Sequence, residues 1–289
     1  MPKLMEEETT TMPNETRSVE VAVDIAAPAD AVWNALTDAT ELVRWFPLQA
    51  AVTPHAGGTV KWSWDETWTW ESTIGVWEPG RRLRLVQEDQ RPFDVNGGLL
   101  PAGQVASAHM IMDFTLETVV GRTRLRLVHS GFGNGSAWDD EIDGVRVGWN
   151  HELRGLAFYL ERHRGKSRHA AMAYLTWPEP QDVTWRRLLS ADAFPVSAQR
   201  LDVGQPYTLE VSTGDRFDGI VQHHIADRDF AGTVRALDDG VFRIGTHRAG
   251  GKTGISVWIA SYDASHAAQV ADIRTRTQGL LDRVFGGTH

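Results

Sequence analysis

The sequence predicts an α+β fold made of two copies of one domain, each a curved antiparallel sheet closed by a long C-terminal helix. Three observations predict it. The first is a repeated block: residues 25–36, IAAPADAVWNAL, and 177–188, WPEPQDVTWRRL, align at an offset of 152. The alignment pairs Pro28 with Pro180, Asp30 with Asp182, Trp33 with Trp185 and Leu36 with Leu188. An extended stretch precedes each block, with Val21, Val23 and Ile25 matched by Ala173, Leu175 and Trp177. The second is a series of short runs in which apolar and polar residues alternate between turn residues, as half-buried strands do. The third is a single apolar helical stripe at the end of each copy. Repetition at a fixed offset marks a duplicated unit, and 289 residues accommodate two ordinary domains. The expected boundaries are a disordered tail over 1–17, a first domain over 18–166 and a second over 170–289.

In the first copy, VEVAVDI at 19–25 alternates and stops at Ala26-Ala27-Pro28, which reads as a strand and a turn. Pro28 suits a helix start, where its missing N–H costs nothing. Val32, Trp33 and Leu36 then recur at helical spacing, and a second short helix is expected over 39–45. Gly57-Gly58 turns the chain into Val60, Trp62 and Trp64, which alternate with Lys61 and Ser63. After a turn at Asp65-Glu66, Trp68, Trp70, Ser72 and Ile74 alternate again, so a hairpin with one aromatic face is expected. Leu83 and Leu85 begin a further strand, a polar Gly- and Pro-bearing loop fills 88–107, and HMIMDFTLE and TRLRLVHSGF make two more strands. Trp138, Ile142, Val145, Trp149, Leu153, Leu156 and Leu160 form the closing stripe. Ser136 is the expected cap of that helix, with Asp139, Asp140 and Glu141 at the positive end of its dipole. Gly144 and Gly148, costly inside a helix, imply a close approach to the sheet or a ligand.

The second copy repeats the order. Tyr207, Leu209 and Val211 alternate, GIVQHHIA, GTVRAL, GVFRIGTH and GISVWIASY read as strands, and Ser265 is the expected cap of a helix with Ala267, Val270, Ile273, Thr277, Leu280 and Val284 on one stripe. Gly286 fits its C-terminal cap. Residues 251–262 parallel 121–132, with Ile259 where His129 stands in the first copy. The Trp-rich hairpin and the long loop have no counterpart here. The second copy is therefore expected to pack against the first or to close the mouth of its pocket.

Composition excludes several function classes. A net charge of -9 argues against a nucleic-acid partner, which needs a basic face. With no cysteine, disulfides, thiolate catalysis and Cys-based metal sites are excluded. The N-terminal segment lacks the apolar core of a signal peptide, and no run of 18 apolar residues exists to span a membrane. A cytoplasmic location is the expectation.

The residues IAAPADAVWNALTDATELVRWF at 25–46, Gly57-Gly58, VWEPGRRLRL at 76–85, TRLRLVHSGF at 123–132, and Trp138, Gly144, Gly148-Trp149, Leu153, Leu156 and Tyr159-Leu160 carry a resemblance. In that order they resemble the START-like, or SRPBCC, superfamily, and within it the activator-of-heat-shock-protein-ATPase-like (AHSA-like) branch. The second copy matches through its entry block and element order. The resemblance implies a helix-grip fold with an internal apolar cavity for a hydrophobic or aromatic small molecule. It also admits a cofactor-independent cyclase, dehydratase or hydrolase acting on a polyketide-like substrate, or a chaperone-associated protein-binding module. Fold does not decide among them.

The candidate ligand-binding residues are Trp62, Trp64, Trp68 and Trp70, with Met110, Met112 and Phe114 on the next strand and Trp149 on the helix. Indole and thioether side chains either line a cavity or fill it as core, and the sequence leaves both open. His129 shares the parity of Leu125 and Leu127, so it points where they point. It is the candidate catalytic residue, as acid, base or donor to a bound carbonyl, or else a buried structural hydrogen-bonder. His109, at a strand start, is expected in solvent. His223-His224 do not chelate one ion together, because neighbours on a strand face opposite ways; no metal and no cofactor is expected. Lys252-Thr253 after Gly250-Gly251 lack a Walker A context and read as a hairpin turn.

Overall fold

The computed structural model describes residues 17–64, 69–92, 99–104, 107–195, 201–249 and 251–286. Residues 1–16 of the expected tail, the turn at Asp65-Glu66, Trp68 and parts of the 88–107 loop lie outside the described residues, and Arg17, expected in the tail, opens the first strand. The first half opens with strand β1 (Arg17–Ile25), helices α1 (Ala29–Thr37) and α2 (Ala39–Leu42), and strands β2 (Gln49–Val52) and β3 (Thr59–Ser63). Strands β4 (Thr69–Glu78), β5 (Arg82–Gln90), β6 (Ala108–Val119) and β7 (Arg122–Phe132) follow, and helix α3 (Ser136–Phe158) ends in a π-turn over Tyr159–His163. The second half contains β8 (His169–Trp177), α4 (Gln181–Leu188), β9 (Pro206–Glu210), β10 (Arg216–Ile225), β11 (Asp229–Val234), β12 (Gly240–Ala249), β13 (Lys252–Ser261) and α5 (Ala267–Phe285).

Two antiparallel sheets result, of order β1-β7-β6-β5-β4-β3-β2 and β8-β13-β12-β11-β10-β9. The chain is a tandem of helix-grip folds. Strand β8 begins and ends 152 residues after β1, so the repeated block occupies the same place in both halves. In each sheet the first strand pairs with the last, β1 with β7 and β8 with β13. Among the described residues the second sheet has no counterpart of β2, and no second short helix follows α4.

Each half has its own core. In the first, Ile25, Ile74, Leu83, Leu85, Leu125 and Leu127 meet Trp138, Leu153 and Leu156 of α3. In the second, Phe230, Phe242, Ile244 and Ile255 meet Ile273, Leu280 and Leu281 of α5. No helix among the described residues is long and apolar enough to cross a membrane.

Three local expectations are corrected. Gly135, with φ of 100°, occupies the N-cap of α3, and Ser136 is the first helical residue. Asp263, not Ser265, supplies the capping oxygen ahead of α5, accepting from Ser265 N–H. Gly144 and Gly148 face open space, and a Cβ at either would touch nothing within 4 Å, so no close approach demands them.

The outer faces of the two sheets differ sharply. Across the first run cross-strand ion pairs: Arg84 with Asp113 (2.6 Å), Arg124 with Asp24 (2.8 Å) and Arg126 with Glu20 (2.6 Å). The β6–β7 and β12–β13 hairpins match at an offset of 130, which puts Arg243 at the place of Asp113 and Trp258 at that of Val128. The second outer face thus presents Val241, Arg243, Trp258 and Ala260, and it docks on α3. Helix α3 is covered on two sides: its apolar stripe meets the first sheet, and Val147, His151, Glu152 and Phe158 lie off that stripe. Asp140 of α3, read from the sequence as a dipole partner, pairs across the joint with Arg248 (3.3 Å), and Asp143 pairs with Arg228 (2.7 Å). Tyr262 completes the joint by stacking on His163 (4.2 Å) and Tyr159 (5.9 Å) within the first core.

Candidate functional site

The space expected as a hollow between α3 and the first sheet is occupied by aromatic rings. Trp62 faces Trp70 across the β3–β4 pair. Trp149 lies 5.4 Å from Phe46, 6.3 Å from Trp62 and 5.8 Å from Phe114, ring centre to ring centre. Trp62, Met110, Met112, Phe114, His129 and Trp149 are all buried. Trp64 and Trp70 are half-buried and pack edge to face at 5.1 Å. Trp77, on the far side of a register shift in β4, leaves this cluster and packs on Trp33 at 5.1 Å. Among the described residues Trp62, Trp64 and Trp70 lie together, and edge-to-face geometry lets their rings interlock instead of standing apart.

His129 sits at the inner end of this packing. Trp149 Nε1–H donates to its Nδ1 at 3.1 Å. Indole nitrogen only donates, so the neutral imidazole carries its proton on Nε2. Burial holds its pKa down at about 3, so the ring is uncharged at neutral pH. Two buried donors here, His129 Nε2–H and Trp62 Nε1–H, have no hydrogen-bond partner. His109 is exposed and bonds Glu88 at 2.6 Å.

The depressed pKa has a consequence for stability. Between pH 6.5 and about 3 the unfolded chain protonates this histidine and the folded chain does not. Stability is therefore unaffected by His129 above pH 6.5 and falls as the pH drops through that window, by up to roughly 1.4 kcal/mol per pH unit. His129→Gln keeps an acceptor for Trp149 and does not titrate. Urea unfolding at pH 5 and pH 6 is expected to show a shallower loss in the variant than in the parent; equal slopes would contradict the assignment.

A cavity of about 90 Å³ lies between the two halves. Its walls come from both: Trp45, Phe46, Trp64 and Phe158 from the first, Trp258 and Tyr262 from the second. Its polar lining includes His151, Glu152, His223 and Arg243. Phe46 and Trp64 touch each other (5.2 Å), and Phe46 also touches Trp62 (5.1 Å), so the cavity wall is continuous with the aromatic interior of the first grip. Arg168, between the halves, donates to the carbonyls of Val43, Trp45, Phe46 and Pro47 at 2.7–3.1 Å. That clamp holds the loop bearing two of the cavity's rings.

The polar lining is a buried ionic group spanning the halves. Arg243 Nη2–H donates to Asp229 Oδ2 at 2.7 Å, and its Nη1 lies 3.5 Å from Glu152. Burial pushes the Glu152 carboxyl up to about 7, against the pull of Arg243. Burial lowers His151 and His223 below the ordinary histidine range. His223 reaches this place through a register shift between Val221 and His223, where β10 departs from regular pairing with β11. Val221 stays in the second core, whereas His223 packs on His151 of α3 at 5.7 Å. Such irregularities commonly re-aim a side chain.

Of the predicted ligand-site residues that are among the described residues, only Trp64 borders this cavity. His151, Glu152, Asp229, Arg243, Trp258 and Tyr262 escaped sequence reasoning. One signal was present: Val241, Trp258 and Ala260 alternate with core residues of the second sheet, so its outer face was never polar enough to stand in water.

Residues 26–161 match the family described as activator of Hsp90 ATPase homolog 1-like protein. No curated protein matches the sequence. Among solved structures, protein MLL2253 from Mesorhizobium loti is similar at 22% identity, covering 51% of this chain and 98% of that one, with a TM-score of 0.43. The Aha1 dimer from Colwellia psychrerythraea is similar at 20% identity, over 52% of this chain and 99% of that one, with a TM-score of 0.41. DynU16, from the dynemicin biosynthetic locus, is similar at 19% identity over 93% of this chain and 95% of that one, with a TM-score of 0.41. The match to the activator of Hsp90 ATPase homolog 1-like family thus lies in the first of the two halves, over residues 26–161.

Proposed function

We propose that the chain binds a small molecule with an apolar, ring-bearing body in the cleft between its two halves. One observation carries this reading: aromatic rings from both halves converge on a cavity whose polar lining includes His151, Glu152, Arg168, His223 and Arg243. Apolar walls with a few convergent polar groups are the usual make-up of a small-molecule site. The rings supply contact area, and the polar group selects a guest that carries a hydrogen-bonding substituent. This seat differs from the expected one inside the first grip, which Trp62, Phe114 and Trp149 occupy.

Size limits the guest. Pockets for drug-sized ligands run to about 300–1,000 Å³, whereas about 90 Å³ admits roughly one ring. A larger guest has to part the halves, breaking the pairs of Arg228 and Arg248 with α3.

Native mass spectrometry of gently purified protein, followed by tryptophan-quenching titration of whatever co-purifies, tests the reading. A panel of aromatic acids serves if nothing does. Trp258→Ala is expected to weaken binding about tenfold or more, the equivalent of removing one well-buried ring contact. A ligand whose affinity falls with Met112→Ala and is untouched by Trp258→Ala would place the seat inside the first grip instead.

A further inference from the structure

We propose that the two halves share a divalent transition-metal site built from His151, His223 and Asp229. His151 comes from α3 of the first half, and His223 and Asp229 come from β10 and β11 of the second. One potential ligand atom from each lies within 4.8 Å of the other two. His223 is 7% exposed and Asp229 1% exposed, so this is an interior cluster and not a patch of surface acids.

Three features point to an ion. The buried nitrogens His151 Nδ1 and His223 Nε2 have no hydrogen-bond partner, and leaving such atoms unsatisfied costs on the order of 1–3 kcal/mol each. His223 Nε2 stands 3.9 Å from Asp229 Oδ1. That is too long for a hydrogen bond but close to the separation of about 3–4 Å between two ligands of one ion. Arg243 grips Asp229 mainly through Oδ2, at 2.7 Å from Nη2, with a longer bond of 3.3 Å from Nε to Oδ1, the oxygen that faces His223. An outer partner of this kind fixes the orientation of a ligating carboxylate.

The donor set indicates the class of metal. Two imidazoles and one carboxylate suit zinc, iron, cobalt or nickel, whereas magnesium and calcium prefer all-oxygen sites. Bringing atoms 4.8 Å apart to a tetrahedral spacing of about 3.4 Å needs a contraction of about 1.5 Å. His151 and His223 both border the cleft, so a fourth coordination position would open onto it. The adjacent His224 takes no part, in keeping with the alternation of a strand.

The site stands apart from the small-molecule reading, because the probe is the metal alone. The full chain is freed of metal with a chelator and titrated with Co(II), read by its d–d absorption, and with Zn(II), read by calorimetry and melting temperature. One equivalent is expected to bind, with a rise in melting temperature. His151→Ala, His223→Ala and Asp229→Asn are each expected to weaken binding by more than about 10–100-fold, the usual cost of losing only an outer partner. His109→Ala, an exposed histidine bonded to Glu88, is expected to bind as the parent does. If Asp229→Asn fails to fold, the two histidine variants, checked by near-UV circular dichroism, decide the matter. Absence of stoichiometric binding, or binding that survives in the His151→Ala/His223→Ala double variant, would overturn the proposal.

Discussion

Trp149→Ala is expected to remove about 3–5 kcal/mol of stability from the chain, the range typical of truncating a large buried aromatic. Trp149 is 4% exposed, touches Phe46, Trp62, Phe114 and His129 with its ring, and donates its indole N–H to His129. Alanine forfeits those contacts, leaves an indole-sized void and strips His129 Nδ1 of its donor. Chemical denaturation measures the loss. Added indole is expected to restore part of it by refilling the void, as apolar guests fill engineered cavities. A loss under about 1 kcal/mol would mean that the rings are not interlocked and that the first grip keeps the hollow its sequence pattern predicts.

Arg168→Ala is the second large effect, about 2–3 kcal/mol, with a functional signature besides. One guanidinium serves four backbone carbonyls between Val43 and Pro47. Hydrogen bonds of a charged group contribute roughly 1.5–3 kcal/mol each net, but four made by one guanidinium do not add, and Arg168 is half-buried, so water reaches the carbonyls it releases. The planar fork is what spans four acceptors. Arg168→Lys, with a compact ammonium on a flexible stem, is expected to recover less than half of the deficit. Because the clamped segment carries Trp45 and Phe46, both variants are expected to weaken guests of the cleft more than Met112→Leu does. Equal stability of Arg168→Ala and the parent in urea would show that the clamp holds nothing.

Local features of this protein were legible before any coordinates. The offset of 152 reappears as the spacing of β1 and β8, and the stripes from Trp138 and Val270 lie on α3 and α5. The caps were less legible, since Gly135 and Ser136 are neighbours and only backbone geometry separates the cap from the first helical residue. Gly144 and Gly148 misled for a related reason: a helical glycine signals tight packing only when something stands where its Cβ would be. Parity brought Trp62, Trp64 and Trp70 together but could not say whether their rings interlock, because that depends on ring tilts of around 70–80° between side chains from different strands and helices.

The sequence by itself determined the duplication, the sheets and the apolar stripes, because periods of two and of about 3.6 are written by each segment independently of the rest. Only the tertiary structure decided that α3 is buried on a second, polar side, and that His151, Asp229 and Arg243 meet there. That side is held by ion pairs and ring contacts between residues tens of positions apart, and such pairs leave no local period to read. The register shift before His223 then turns its side chain against the parity of its strand.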